Sequence, residues 1–303
     1  MARKKQSRVV TELERLDRIK RLVVVAMFSD RDLTHRFVLK GGNAIDLVLQ
    51  VGTRASLDVD LSMEMGFAPA ELEDIRQRLE KSLQAVFAPE GYSVFDVTLE
   101  EKPPTVSPEV AGFWGGYGVT FKFIEIAQYR TCEGDLESMR RNAVLLGAKG
   151  KFEIDISKFE YCRTKQAAQI NGCPIFAYTP EMLICEKMRA ICQQMPEYGP
   201  VVKRTRPGSA RARDFVDIQV LIERFSIEMA SPHNLDLLRA IFEAKRVPLP
   251  LLVRVGDFRD FHRADFQAVR DSVKPGMAIQ EFDFYFDFVA ALCTRLLKAL
   301  GNE

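Results

Sequence analysis

FVLKGGNAIDLVLQVGTRASLDVDLS, residues 37–62, is the stretch whose reading decides the fold. It opens with a short apolar run, turns through Gly41 and Gly42, passes through a helix-like segment from Asn43 to Leu49, and ends in an alternating run from Ser56 to Ser62. Successive side chains on a strand point to opposite faces, so Ser56, Asp58, Asp60 and Ser62 share one face and Leu57, Val59 and Leu61 the other. Carboxylates at i and i+2 on a half-buried strand repel each other, and keeping both ionised is costly unless a cation lies between them. The pair therefore points to a divalent metal. Glycines entering a helix let backbone N–H groups approach a phosphate at the end where the helix dipole favours negative charge. Asn43 is placed to cap that helix or to contact the anion. A glycine pair alone is a turn, and a lone DxD pair is more often a solvated strand edge. Their succession in one short window reads as metal–nucleotide chemistry.

Outward from this unit, Thr11 and Glu14 fit a capping box, and Leu13, Leu16, Ile19 and Val23 recur at helical spacing, which predicts a first helix running to about Phe28. Pro69 starts a second, with Leu72, Ile75, Leu79, Leu83 and Val86 on one stripe. Two β-rich runs follow, Tyr92 to Leu99 and Tyr117 to Ile126, joined by a Pro-rich loop. Trp114, beside a turn, is able to stack a base but reads better as a core anchor. Lys151 to Ser157, KFEIDIS, is a second charged strand, with Lys151, Glu153, Asp155 and Ser157 on one face. Thr179-Pro180 is a strong helix start for PEMLICEKMRAIC, in which Lys187 interrupts a mostly apolar face. That lysine either snorkels to solvent or points into a polar cavity. KRTRPGSARAR, from Lys203 to Arg213, is the densest basic stretch and reads as a loop feeding the helix RDFVDIQVLIERF, whose Phe215, Ile218, Leu221, Ile222 and Phe225 form a core stripe. Ser231-Pro232 starts another helix, and the remainder is helical, with Phe282, Phe284, Phe286 and Phe288 assigned to the core.

The 303 residues suffice for one large domain or two modest ones, and 47% hydrophobic content is ordinary for a globular chain. Lys plus Arg number 43 against 42 Asp plus Glu, so the net charge of +1 excludes a polycation and leaves nucleic-acid contact to local patches. Six cysteines without CxxC spacing and only three histidines argue against a zinc cluster or a disulfide framework. The basic amino terminus is not followed by a signal-peptide core, and Leu22 to Phe28 is too short to span a bilayer. The expectation is a cytoplasmic protein with no membrane partner.

Lys40-Gly41-Gly42, Arg54, Ser56, Asp58 and Asp60 together resemble the AbiEii/AbiGii-type nucleotidyltransferases, a branch of the polymerase-beta-like superfamily found as toxins of bacterial toxin–antitoxin and phage-defence systems. Asn43 stands where that family usually has Ser or Thr. The resemblance implies an α/β (α+β) mixed-sheet nucleotidyltransferase domain over residues 1–178 and a helical C-terminal domain over 179–303, with the nucleotide between them. It implies a third carboxylate on a separate strand, for which Asp155 is the candidate, so that Asp58, Asp60 and Asp155 hold Mg2+ (or Mn2+). It implies nucleotide contacts from Lys40, Gly41, Gly42, Asn43 and Ser56. Through Glu186-Lys187-Met188-Arg189-Ala190 it implies that Lys187 meets a phosphate, and through RDFxD that Asp214 is functional. The implied substrates are an NTP and an RNA acceptor, a tRNA end; the implied partner is a separately encoded antitoxin. A small-molecule nucleotidyltransferase of the aminoglycoside type and a degenerate nucleotide-binding protein are the rival readings.

Overall fold

The computed structural model describes residues 2–53, 58–146 and 150–301, with side chains from Glu14 onward. Arg54 and Ser56 lie outside the described residues. Seven strands, β1 (Val38–Lys40), β2 (Val59–Ser62), β3 (Tyr92–Lys102), β4 (Gly116–Glu125), β5 (Phe152–Ser157), β6 (Gln166–Ile170) and β7 (Cys173–Ala177), form one mixed sheet in the order β3-β4-β5-β2-β1-β7-β6. Central β2 runs antiparallel to β1 and parallel to β5, with Asp60 opposite Lys40 on one side and Asp155 on the other. Val59, Leu61, Ile154 and Ile156 are all buried. A one-residue slip would exchange them with the carboxylates, so the apolar alternation itself fixes the register that aligns the charged row.

The β6–β7 hairpin adds two strands that the sequence reading did not assign. Asn171 and Gly172 turn it with φ of 50° and 78°, the left-handed backbone that a two-residue hairpin loop requires. β7 then pairs parallel with β1, and β6 forms that edge of the sheet.

Helix α1 (Ala2–Phe28) packs on α2 (Leu72–Phe87), and α2 lies on β3. Because α1 begins at Ala2, Thr11 lies within the helix rather than capping it. Among the described residues every element after Tyr178 is helical. α3 (Pro180–Cys192) opens where the sequence predicts, with Thr179 Oγ1 accepting from Met182 N at 3.3 Å. It packs between α4 (Ala212–Phe225) and α5 (Pro232–Ala244), and α5 is capped by Ser231. Short helical turns lead to α6 (Phe282–Gly301). Helical phase divides the phenylalanines of α6: Phe282 and Phe286 are buried, whereas Phe284 is exposed. Phe225, at the end of α4, is exposed too and does not belong to the core stripe.

One apolar core runs from Ile19 to Leu296, continuous through the sheet and the helices. All six cysteines are free thiols. No helix among the described residues is long and apolar enough to cross a membrane.

Candidate active site

The row Lys40, Asp60, Asp155 crosses β1, β2 and β5 on the sheet face that meets the helical region. Asp60 is half-buried, and burial pushes its pKa up to about 6 against the pull of Lys40; Glu186 and Asp155 push in the same direction as burial. Asp155 is more open and accepts from Lys102 Nζ at 2.5 Å. That hydrogen bond first, then the charges of Asp155, Glu153 and Asp58, raise the Lys102 pKa. Asp58 is exposed just ahead of β2. Among the described residues no three His, Cys, Asp or Glu side chains converge on one point. What the site offers is a set of hard oxygen donors, Asp60 and Asp155 on adjacent strands with Asp58 at their edge. This is the donor chemistry that Mg2+ and Mn2+ take, and the carboxylate buried against its preference is the one a cation would relieve.

Gly41 sits at φ 65°, and a Cβ there would come 2.6 Å from Asp60 Oδ2. Glycine is therefore required by the close approach of the carboxylate. Asn43 corrects its expectation. It is fully buried, makes no cap, and its Nδ2 donates to the Asp58 carbonyl at 2.5 Å. Rather than facing an anion, it ties the glycine turn to the start of β2.

A cavity of about 560 Å3 lies over this row. Its helical wall carries Glu186, Arg189 and Gln193, and its rim carries Arg206, Arg211 and Trp114. In the same lining, Arg189 grips buried Glu160 with two bonds of 2.7 and 3.2 Å, while Lys40 and Lys245 approach the same carboxylate at 3.5 and 3.6 Å. Burial opposes the Glu160 charge, but Arg189, Lys40 and Lys245 hold its pKa far below the usual carboxylate range. Burial likewise opposes the charge of Lys40, and Glu160 and Glu186 restore it. Lys245, with burial outweighing Glu160, is pushed down to about 8.

Lys187 neither snorkels nor enters the cavity. It is buried, with Nζ 2.9 Å from Asp214 Oδ1 and 2.7 Å from Asp217 Oδ2. Two buried aspartates one helical turn apart on α4 need a cation, and α3 supplies it. Asp217, read as a helix-face charge, is a full member of this cluster. Arg211 Nε donates to Asp214, and it is Arg211 that lines the cavity. The basic stretch divides accordingly. Arg206 and Arg211 face the cavity, Arg204 binds the carbonyls of Gln193, Gln194 and Met195, and Lys203 pairs with Glu109. Lys102, Glu160 and Lys245 were not singled out from sequence, since each is a lone charge with no local pattern. Trp114, assigned there to the core, packs against it while also lining the cavity.

A mixed sheet that presents aspartates from neighbouring strands to a cavity with basic residues on its rim has the architecture of a nucleotidyltransferase. The chain belongs to the family described as nucleotidyl transferase AbiEii toxin, Type IV TA system, whose profile matches residues 23–288. It is similar to JHP933 from Helicobacter pylori, with 16% identity over 96% of this chain and 95% of that one and a TM-score of 0.48. An antigenic nucleotidyltransferase-like protein from Paracoccidioides brasiliensis aligns at 14% identity over 75% of this chain and 93% of that one, TM-score 0.37. ANT(2″)-Ia in complex with adenylyl-2″-tobramycin aligns at 16% identity over 77% of this chain and 99% of that one, TM-score 0.34. No curated protein matches the chain.

Proposed function

We propose that this nucleotidyltransferase moves a nucleoside monophosphate from an NTP to an RNA acceptor, a tRNA end, in the cytoplasm. We take it to be the toxin of a toxin–antitoxin or phage-defence pair with a separately encoded antitoxin. The observation that carries the reading is the in-register row Lys40–Asp60–Asp155 facing the cavity, with Asp60 held in its ionised form at a cost that a cation would remove. Membership of a type IV toxin family supports the biological role.

Asp58, Asp60 and Asp155 would hold Mg2+ or Mn2+, which when bound neutralises triphosphate charge and makes an acceptor hydroxyl more acidic. The chain's own groups do the rest. Gly41 and Gly42 give the backbone room beside the carboxylates, Lys40 balances Asp60, and Arg206 and Arg211 meet charge that shifts toward pyrophosphate. Lys187 and Asp214 act through Arg211 as positioning residues. The acceptor hydroxyl gives up its proton to water, and its oxygen bonds to the α-phosphorus as the bond from that phosphorus to the leaving pyrophosphate breaks. Arginines on the cavity rim suit an RNA backbone, which they hold without reading sequence.

Incubation with each α-32P-labelled NTP, Mg2+ and total RNA, beside Asp60→Asn and Asp155→Asn, tests the reading on a denaturing gel. A labelled RNA band absent from both variants is the expected result. Label found only in small solutes would replace RNA by a small-molecule acceptor, and equal labelling by wild type and variants would end the proposal.

A further inference from the structure

We infer that Trp114 is the platform on which the base of the incoming nucleoside triphosphate stacks. The inference deepens the proposed function and rests on it. Among the described residues two aromatic side chains line the cavity, Trp114 and Tyr117. Tyr117 is 1% exposed, and its hydroxyl accepts from Phe67 N at 2.8 Å, so it belongs to the core. Trp114 is half-buried and retains exposed surface toward the cavity. It is also braced. Its ring lies 6.2 Å from that of Tyr198, and the Lys245 ammonium is 5.6 Å from its centre. Tyr198 is in turn pinned by a 2.7 Å bond from its hydroxyl to the Lys245 carbonyl. A rigid, partly exposed indole loses little freedom when a flat ring settles on it.

Trp114 shares one cavity with the carboxylates. In the β4–β5 pairing Gly118 stands opposite Asp155 and Gly116 opposite Ser157. Trp114 closes the turn that follows the short helix Pro108–Ala111, two residues before β4 begins, and lines the same cavity as Asp60 and Asp155. The indole extends from that point over the cavity. A nucleotide whose α-phosphate lies over Asp60 and Asp155 then carries its base toward Trp114, with the ribose over Gly116 and Ser157. Between the carboxylates and the ring, the Lys102 side chain runs beside Gly118 to the Asp155 carboxylate, and Lys158 lies against Gly115. The sugar would therefore pass beside the Lys102 side chain, a donor to its oxygens or to the phosphate.

Trp114 is the only tryptophan in the chain, so its emission reports this contact alone. Purified protein is titrated with ATP, GTP, CTP, UTP and inorganic tripolyphosphate, each with Mg2+, by fluorescence and by calorimetry, and Trp114→Ala and Trp114→Phe are titrated by calorimetry. The expected result is that NTPs quench the emission while tripolyphosphate binds without quenching. Trp114→Ala should weaken NTP binding about 10-fold or more and leave tripolyphosphate affinity within about 2-fold, and Trp114→Phe should restore most of the loss. NTP binding with unmoved emission overturns the platform and leaves nucleotide binding intact. So does an equal loss for NTP and tripolyphosphate in Trp114→Ala that Trp114→Phe does not repair. Failure of both ligands to bind wild type overturns the nucleotidyltransferase site and the platform together.

Discussion

Gly41 determines where Asp60 can stand. Alanine at φ 65° is strained by about 1–2 kcal/mol, and its Cβ would displace the Asp60 carboxylate from 2.6 Å. Gly41→Ala is thus expected to lower label transfer about 10-fold or more, a loss of orientation rather than of folding. The far-ultraviolet spectrum should be unchanged and the stability reduced only by the strain just given. Full activity in a well-folded Gly41→Ala protein would show that the aspartate tolerates displacement and that the glycine has another purpose. Both residues were visible in the sequence, but for separate reasons, one as a phosphate turn and the other as half of a DxD pair. Their contact was not legible, because it depends on β1 and β2 lying side by side. Asn43 was misread for the same reason. Its partner, the Asp58 carbonyl, is fifteen residues away in the chain and adjacent only after folding.

At the scale of elements, α3 and α4 are joined by the buried Lys187–Asp214–Asp217 cluster. Removing one partner of such a group strands the remaining charge, so Lys187→Met is expected to cost about 3–5 kcal/mol, read as a fall in the urea midpoint. Asp217→Asn in the same chain should recover part of that loss. A Lys187→Met protein of wild-type stability but without transfer activity would reverse the assignment and return Lys187 to direct phosphate contact, as the family resemblance implies. The elements themselves were mostly legible. Thr179-Pro180 marks the start of α3, and the alternation in KFEIDIS marks β5, because capping and strand periodicity are local properties. The β6–β7 hairpin escaped despite its Asn171-Gly172 turn, since Gln166–Ile170 lacks the β-branched alternation of a strand and is held by its partners. The tie between α3 and α4 escaped as well. The i, i+3 spacing of Asp214 and Asp217 on an apolar helix was in the sequence, but the lysine that answers it lies 27 residues away from Asp214.

Across the whole molecule, a near-neutral net charge conceals buried ion clusters, and one buried neutral group couples them to pH. His262 is fully buried, and its Nδ1 accepts from Arg211 N at 3.1 Å beside the Phe215 ring, while Nε2 has no hydrogen-bond partner. Burial, with Arg211 adding to it and Asp214 opposing it, pushes the imidazole from its ordinary 6.5 down to about 4. A depressed folded-state pKa means that the associated stability is complete above 6.5 and is lost as pH falls toward about 4, because the unfolded chain takes up the proton first. The expected loss is about 3 kcal/mol across that window. Asp60 works with the opposite sign, its raised pKa making the metal-free protein relatively more stable as pH falls through about 6. The measurement that separates the two is therefore a difference: unfolding free energies of wild type and His262→Gln at steps from pH 7.5 to 4. Asp60 contributes equally to both proteins and cancels. The wild type should lose about 3 kcal/mol more than the variant between 6.5 and 4, and parallel curves would show that His262 takes up its proton without cost. Protonation also gives Nδ1 a hydrogen where Arg211 N–H now donates, so acid should loosen the backbone that carries Arg211 to the cavity rim. Nucleotide affinity in the wild type would then fall only as pH drops through about 4, where the folded imidazole takes up its proton, below most of the window in which stability is lost, and the His262→Gln protein should keep more of both.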